Sequence, residues 1–106
     1  MSHFERLNEV LDIMWGNVME AEKYIKEAHE MKSECPSYAD WCRDMAVRHL
    51  EFNSTGRTVF DRIRDMVAAE HEHMAHMPGM MRVYDHQTHK LARESAEVRM
   101  LIDMYK

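Results

Sequence analysis

The sequence contains few residues that interrupt regular structure. Only three glycines and two prolines occur among its 106 residues. Because these two residue types are the strongest local breakers of helices and strands, the chain has few places for turns. Its length is sufficient for one hydrophobic core but not for two. We therefore expect a single domain over residues 1–106, built from a few long elements.

Other absences exclude whole classes of protein. The net charge is -5, and Lys and Arg alternate with Asp and Glu instead of forming a basic stripe, which argues against nucleic-acid binding. No apolar run approaches the roughly 20 residues that a transmembrane helix needs. The first residues lack the basic segment and apolar run of a signal peptide. We expect no nucleic-acid partner, no membrane partner and a cytoplasmic location.

The only two cysteines are predicted to be free thiols. Seven residues of mostly helical chain would separate the Cα atoms of Cys35 and Cys42 by about 10 Å, which exceeds the roughly 7 Å limit for a disulfide. Their spacing also differs from the short Cys pairs of structural zinc sites.

What the sequence does contain is hydrophobic residues at helical spacing. In the first segment they alternate steps of three and four without a miss, a pattern typical of an amphipathic helix. This segment predicts a helix over about residues 3–32. Pro36 then disfavours helix at Cys35, and Ser37 is a suitable N-cap for the next helix. The predicted buried positions are Phe4, Leu7, Leu11, Met14, Val18, Ala21, Ile25 and Ala28, flanked by Val10, Trp15, Tyr24 and Met31.

The same alternation continues through two later segments. It persists across residues 53–56, whose composition alone would indicate a loop, so we expect one long helix over about residues 37–76; a kink near Gly56 is the alternative. A glycine on the buried face would let another helix approach closely. Pro78 and Gly79 mark the next break, and a third helix follows over about residues 80–105. The predicted buried positions are Tyr38, Cys42, Met45, His49, Phe52, Gly56, Val59, Ile63, Met66, Glu70 and His73 in the second helix, and Met81, Tyr84, Thr88, Leu91, Ser95, Val98, Ile102 and Tyr105 in the third.

These segments predict an all-α fold, an antiparallel bundle of three long helices. Short connections make consecutive helices antiparallel neighbours. Twelve methionines and the two tryptophans supply more apolar surface than three such faces need. We therefore expect a homodimer or a higher homo-oligomer that buries the remainder.

A cluster of histidines and methionines around residues 70–89 is a candidate metal site. Glu70 and His73 have the Glu-x-x-His spacing with which carboxylate-bridged helix bundles bind metal ions. His76, and His86 and His89 on the third helix, could complete a site for zinc, nickel, copper or iron. The alternative is a solvent-exposed helix end whose methionines serve as flexible packing or oligomer contacts.

The second candidate site is a polar group in the middle of the bundle. Antiparallel folding around the first turn places His49 near Tyr24, and Asn53 lies one turn along the same helix. Tyr24, His49 and Asn53 could form a ligand pocket or a small polar network. The commoner outcome for such a histidine is a hydrogen bond to a neighbouring core residue.

The first helix pair resembles that of ferritin-like and rubrerythrin-like proteins. Glu20 and Tyr24 lie on the first helix, and the second helix carries His49 and Glu51 within residues 45–54. In that family one helix supplies a metal-binding glutamate and the next supplies Glu-x-x-His.

The resemblance implies a ferritin-like bundle over about residues 10–66 with an incomplete di-iron ligand set. When Glu51 is aligned with the second glutamate of the family, Ser54 stands at the position of its histidine. When His49 is aligned with that histidine, Ala46 stands at the position of the glutamate.

Two functions remain open from the sequence. The first is a non-enzymatic oligomer that acts as an interaction or structural protein without an obligate cofactor. The alternative is a ferritin-like or His/Met-rich metal-binding protein. The chain has no glycine-rich phosphate loop and no nucleophilic serine at a strained turn, so we do not expect an enzyme.

Overall fold

Three helices make up most of the protein in a computed structural model that describes residues 2–106. The helices are α1 (His3–Met31), α2 (Pro36–Glu70) and α3 (Met77–Asp103), and no strand occurs within the described residues. The predicted all-α bundle of three long helices is therefore confirmed. The molecule is elongated and flat, with principal extents of 59 × 23 × 15 Å.

Helix α1 follows the predicted pattern closely. Ser2 caps its N-terminus by accepting a hydrogen bond from the Glu5 backbone N–H at 3.1 Å, which satisfies one of the free donors of the first turn. The predicted inward residues of α1 are buried, except that Phe4 is only half-buried. Burial of this apolar face against α2 and α3 is the main stabilising contribution of the helix.

Helix α2 is continuous through residues 53–56, as predicted, but its buried face differs from the predicted one. Cys42 and Ile63 are buried as predicted, and His49 and Gly56 are half-buried, while Tyr38, Met45, Val59 and Met66 each precede the buried residue by one position. The residues that face the core are Ala39, Cys42, Ala46, Leu50, Phe60, Ile63 and Val67. Tyr38, Phe52, Val59 and Met66, which were predicted to be buried, are instead exposed.

Helices α1 and α2 approach each other closely near the centre of α2. A Cβ atom added to Gly56 would lie 2.9 Å from Met14 Cγ and 3.2 Å from Met14 Sδ. The Met14 side chain, which is buried, thus occupies the space that a larger residue on α2 would need. The close approach of α1 that was predicted for Gly56 is therefore present at this position.

The second helix ends earlier than predicted, and the third begins earlier, at Met77 and not at about residue 80. Helix α2 was expected to reach residue 76, but it ends at Glu70, and turns at residues 71–76 lead to α3. Pro78 lies within the first turn of α3, where its missing N–H costs no hydrogen bond. A helix could not continue through residue 74 to Pro78, because the proline ring would clash with the carbonyl of Met74. The chain therefore turns before the proline and not at it. At the other end, α2 begins at Pro36, and Cys35 takes the N-cap position that was expected for Ser37.

Helix α3 runs parallel to α1 and antiparallel to α2. Its predicted inward positions are confirmed: those up to Leu91, and Val98, are buried, while Ser95, Ile102 and Tyr105 are half-buried. It contacts the α1–α2 hairpin less extensively than α1 and α2 contact each other. None of the helices in residues 2–106 has an apolar stretch long enough to span a bilayer.

Candidate functional site

A chain of hydrogen bonds crosses between α1 and α2 at the middle of the hairpin. The Nδ1–H of His49 donates to Asn17 Oδ1 at 3.0 Å, and Asn17 Nδ2 donates to Asn53 Oδ1 at 3.2 Å. Asn53 Nδ2 in turn donates to the backbone carbonyl of Met14 at 3.0 Å. The ring of His49 stacks on that of Tyr24, with centroids 5.7 Å apart. These half-buried polar groups thus satisfy one another.

The structure brings together Tyr24, His49 and Asn53, the three residues predicted for this site. Asn17, which joins His49 to Asn53, was missed. Asn17 directly precedes Val18, which was predicted to be buried. This position could have indicated that Asn17 faces α2. Paired amides of this kind fix the alignment of two helices, because a shift along the axis would leave each amide without a partner.

A cleft of about 320 Å³ lies between α2 and α3 at the level of this polar layer. Leu50 and Leu91 form part of its apolar floor, Asn53 reaches it from the polar layer, and Arg57 and Arg99 line it as well. Arg57 already forms an ion pair with Asp61 at 3.0 Å. The cleft is therefore a gap in the looser packing of α3, and the side chains of Asn53 and Arg57 at its border have partners elsewhere.

The predicted metal ligands are not assembled into a site. Glu70 was expected on the buried face, but it is exposed at the end of α2 and lies 3.0 Å from His3 Nδ1 at the start of α1. His73 and His76 lie in the connection after the helix, so Glu70 and His73 do not form a helical Glu-x-x-His pair. His71 stacks instead on Phe4, with ring centroids 5.3 Å apart.

The two histidines predicted on α3 do not complete a site either. His86 and His89 are exposed on the helix surface, while the neighbouring Thr88 faces the core. Within residues 2–106, no group of three His, Cys, Asp or Glu side chains is arranged to hold a metal ion. The free thiols do not add one, since Cys42 is buried and Cys35 lies in the turn before α2.

Polar contacts hold α3 against the hairpin at several points. The Tyr105 hydroxyl donates to Asp40 Oδ1 at 2.5 Å, and this hydrogen bond raises the pKa of Tyr105 to about 12. The Tyr84 hydroxyl donates to Asn8 Oδ1 at 3.0 Å, and burial raises its pKa. Near the middle of the interface, Arg64 Nη2 lies 2.9 Å from the Asp85 carboxylate. These contacts position α3 and do not resemble catalytic machinery.

The most unusual surface of the molecule is an apolar stripe along the outside of α2. Its residues recur every seventh position, so they follow one line along the helix. Phe52 has 66% of its surface exposed, Met66 47%, Val59 41% and Tyr38 40%. We call this line the α2 stripe, formed by Tyr38, Met45, Phe52, Val59 and Met66. Met45 is half-buried, whereas the other four members are exposed.

Aromatic side chains widen the α2 stripe near its N-terminal end. The ring of Trp41, which is half exposed, stacks on Tyr38 with centroids 6.0 Å apart. On its other side it meets the edge of Tyr24 of α1 at 5.7 Å. The two helices thus share a continuous aromatic surface. Large rigid aromatic rings are the residue type that contributes most to protein interfaces.

Comparison of the chain with protein families, with curated proteins and with solved structures finds no match in any of the three. The resemblance to ferritin-like proteins therefore stays a prediction.

Proposed function

We propose that this chain is a non-enzymatic interaction protein that works as a homo-oligomer and uses the α2 stripe as its contact surface. The observation that carries this proposal is the exposure of large apolar side chains at every seventh position of a single helix. Isolated exposed apolar residues are normal on proteins, whereas a contiguous line of them is typical of an interaction site.

The energetic argument favours a covered stripe. Complete burial of a Phe or Met side chain is worth roughly 1.5–3 kcal/mol. In the isolated chain, about half or more of the surface of Phe52 and of Met66 is still exposed and can be buried by a partner. Several such residues in one line can offset the cost of association, which is on the order of 4–15 kcal/mol.

The geometry supports this function better than binding of a transition metal. A metal centre needs several ligands around one point. In the part of the chain that the structure describes, Glu70 is paired with His3, and His86 and His89 project from the surface of α3. The apolar stripe, by contrast, has four of its five members exposed in the isolated chain.

The test is the mass of the particle in solution as a function of concentration. Light scattering of the wild-type chain at about tens of micromolar should give a multiple of the 12.7 kDa monomer mass. The substitution Phe52→Glu places a charge in the middle of the stripe and should weaken association about 100-fold or more.

The matched control for this experiment is Met100→Glu on α3. Met100 is 63% exposed, nearly as much as Phe52, but it lies outside the stripe. This variant should associate like the wild type. A wild-type chain that stays monomeric at these concentrations would contradict the proposal, and so would equal weakening by both variants.

A further inference from the structure

We propose that the C-terminal part of α3, residues 92–105, is a strap that opens and closes on the α1–α2 hairpin while the rest of the fold stays intact. The contacts of Leu101 and Tyr105 with His29, Lys32 and Asp40 are the clasp that holds the strap closed. The strap and its clasp share no residue with the α2 stripe, so this inference does not depend on the proposed self-association.

Burial along α3 is concentrated in the first part of the helix. Up to and including Leu91, five residues of α3 are buried, whereas beyond Leu91 only Val98 is. Leu101, Ile102 and Tyr105 are half-buried. Because burial of apolar surface is the main contribution that holds a helix on its core, the strap is attached more weakly than the part of α3 that precedes it.

The cleft between α2 and α3 lies where the strap begins. Ala92 and Ser95 line it from α3, and Leu50 lines it from α2. Ser95 stands at an inward position of the helix, between the buried residues Leu91 and Val98, but its side chain is small and a gap remains beside it. The strap is therefore separated from the well-packed part of α3 by a stretch that leaves space against α2. Local opening costs least where the packing is interrupted.

The clasp fastens the far end of the strap to both helices of the hairpin. On α1, His29 Nε2–H donates to the backbone carbonyl of Leu101 at 2.8 Å, which gives a partner to one of the last carbonyls of α3. On α2, Asp40 Oδ1 accepts a hydrogen bond from the Tyr105 hydroxyl at 2.5 Å. Lys32 Nζ lies 4.8 Å from the centre of the Tyr105 ring, within the range of a cation–π contact.

These two features together make the strap a part that opens as a unit. When the clasp is broken, Val98 is the only buried side chain that still holds residues 92–105 on the hairpin. A segment attached in this way opens at a lower cost than the unfolding of the whole chain. Opening gives access to the surface of the hairpin that lies between Leu50 and Asp40 on α2, the levels at which the cleft and the clasp contact that helix.

Hydrogen exchange of single backbone amides measures this opening. In an α-helix each N–H bonds to the carbonyl four residues earlier, so the amides of residues 96–103 report on the strap. In the wild type they should share one protection factor, at least about tenfold below that of residues 82–91. Tyr105→Phe removes the hydrogen bond to Asp40 and should lower protection of the strap about fivefold, because a single exposed hydrogen bond contributes modestly. The hairpin and residues 82–91 should change less than about twofold.

The matched control is Tyr24→Phe at the same protein concentration. Tyr24 is half-buried like Tyr105, but its hydroxyl forms no hydrogen bond with any of residues 2–106. This variant should leave protection of the strap unchanged. Protection that rises steadily from residue 103 inwards is simple fraying of the helix end and overturns the inference. Equal losses in all three helices of Tyr105→Phe, or a loss no greater than that of Tyr24→Phe, also overturn it.

Discussion

The two faces of α2 use apolar residues in opposite ways. Over its first half the inward face carries Ala39 and Ala46, while the outward face carries the much larger Trp41 and Phe52. In most amphipathic helices the largest apolar residues face the core. In α2 large apolar residues lie on both faces: Leu50 and Phe60 face the core, while Trp41 and Phe52 are exposed.

This difference indicates that the inward face, and not the α2 stripe, stabilises the single chain. The inward face gains stability from close approach, from Met14 packed over Gly56 and from the polar layer at Asn53. The outward face adds little to the stability of one chain, since its residues remain exposed. Its apolar surface becomes a stabilising contribution only when a partner covers it.

The largest expected difference between the faces comes from two phenylalanines of the same helix. Phe60 is 1% exposed and Phe52 is 66% exposed. Phe60→Ala leaves a cavity in the core and should lower the free energy of unfolding by about 3–5 kcal/mol. Phe52→Ala should change it by less than about 1 kcal/mol in urea unfolding at concentrations where the chain is monomeric. Similar losses for both variants would mean that the two faces do not differ in role.

A smaller effect is expected at the polar layer of the inward face. Asn53→Ala removes the acceptor of Asn17 Nδ2 and should cost about 1–3 kcal/mol in the free energy of unfolding, because a half-buried donor loses its partner. Ser54→Ala, at the exposed neighbouring position, is the control and should stay within about 0.5 kcal/mol of wild type. The double variant Asn17→Ala with Asn53→Ala should cost less than the two single losses added together. Simple additivity in chemical denaturation would show that the two amides do not act as a pair.

The sequence predicted which segments form helices better than it predicted which face of each helix is buried. The buried face of α1 was predicted correctly because every inward residue is apolar, so only one face could be the buried one. In α2 apolar residues recur at helical spacing on two neighbouring faces, and periodicity alone cannot decide which of these faces is buried. Apolar character was the misleading cue, since Phe52 is apolar but exposed, whereas the polar Asn53 is half-buried. Contacts between helices decide which face of α2 is buried, and the spacing of residues along one helix does not reveal those contacts.

The two candidate sites were also predicted with unequal success. Tyr24 and His49 were expected to meet because an antiparallel hairpin fixes which levels of two helices are adjacent, and their rings stack. The metal cluster depended on α2 extending past Glu70, and the chain turns there instead. The contact of Glu70 with His3 could have been anticipated, because the start of α1 and the end of α2 lie at the same end of the hairpin.

The smallest expected effect tests how closely α1 approaches the inward face. Gly56→Ala adds a Cβ atom 2.9 Å from Met14 Cγ, whereas a Cβ atom added at Gly16 has no neighbour within 4 Å. Alanine is favoured over glycine inside a helix by about 1 kcal/mol, so Gly16→Ala should raise the free energy of unfolding by about that amount. At Gly56 the same gain is outweighed by displacement of Met14, and we expect a net loss of about 1 kcal/mol. Urea unfolding of both variants tests whether the two changes in the free energy of unfolding have opposite signs. If Gly56→Ala were as stabilising as Gly16→Ala, α1 could not approach α2 as closely at Gly56 as the contact with Met14 indicates.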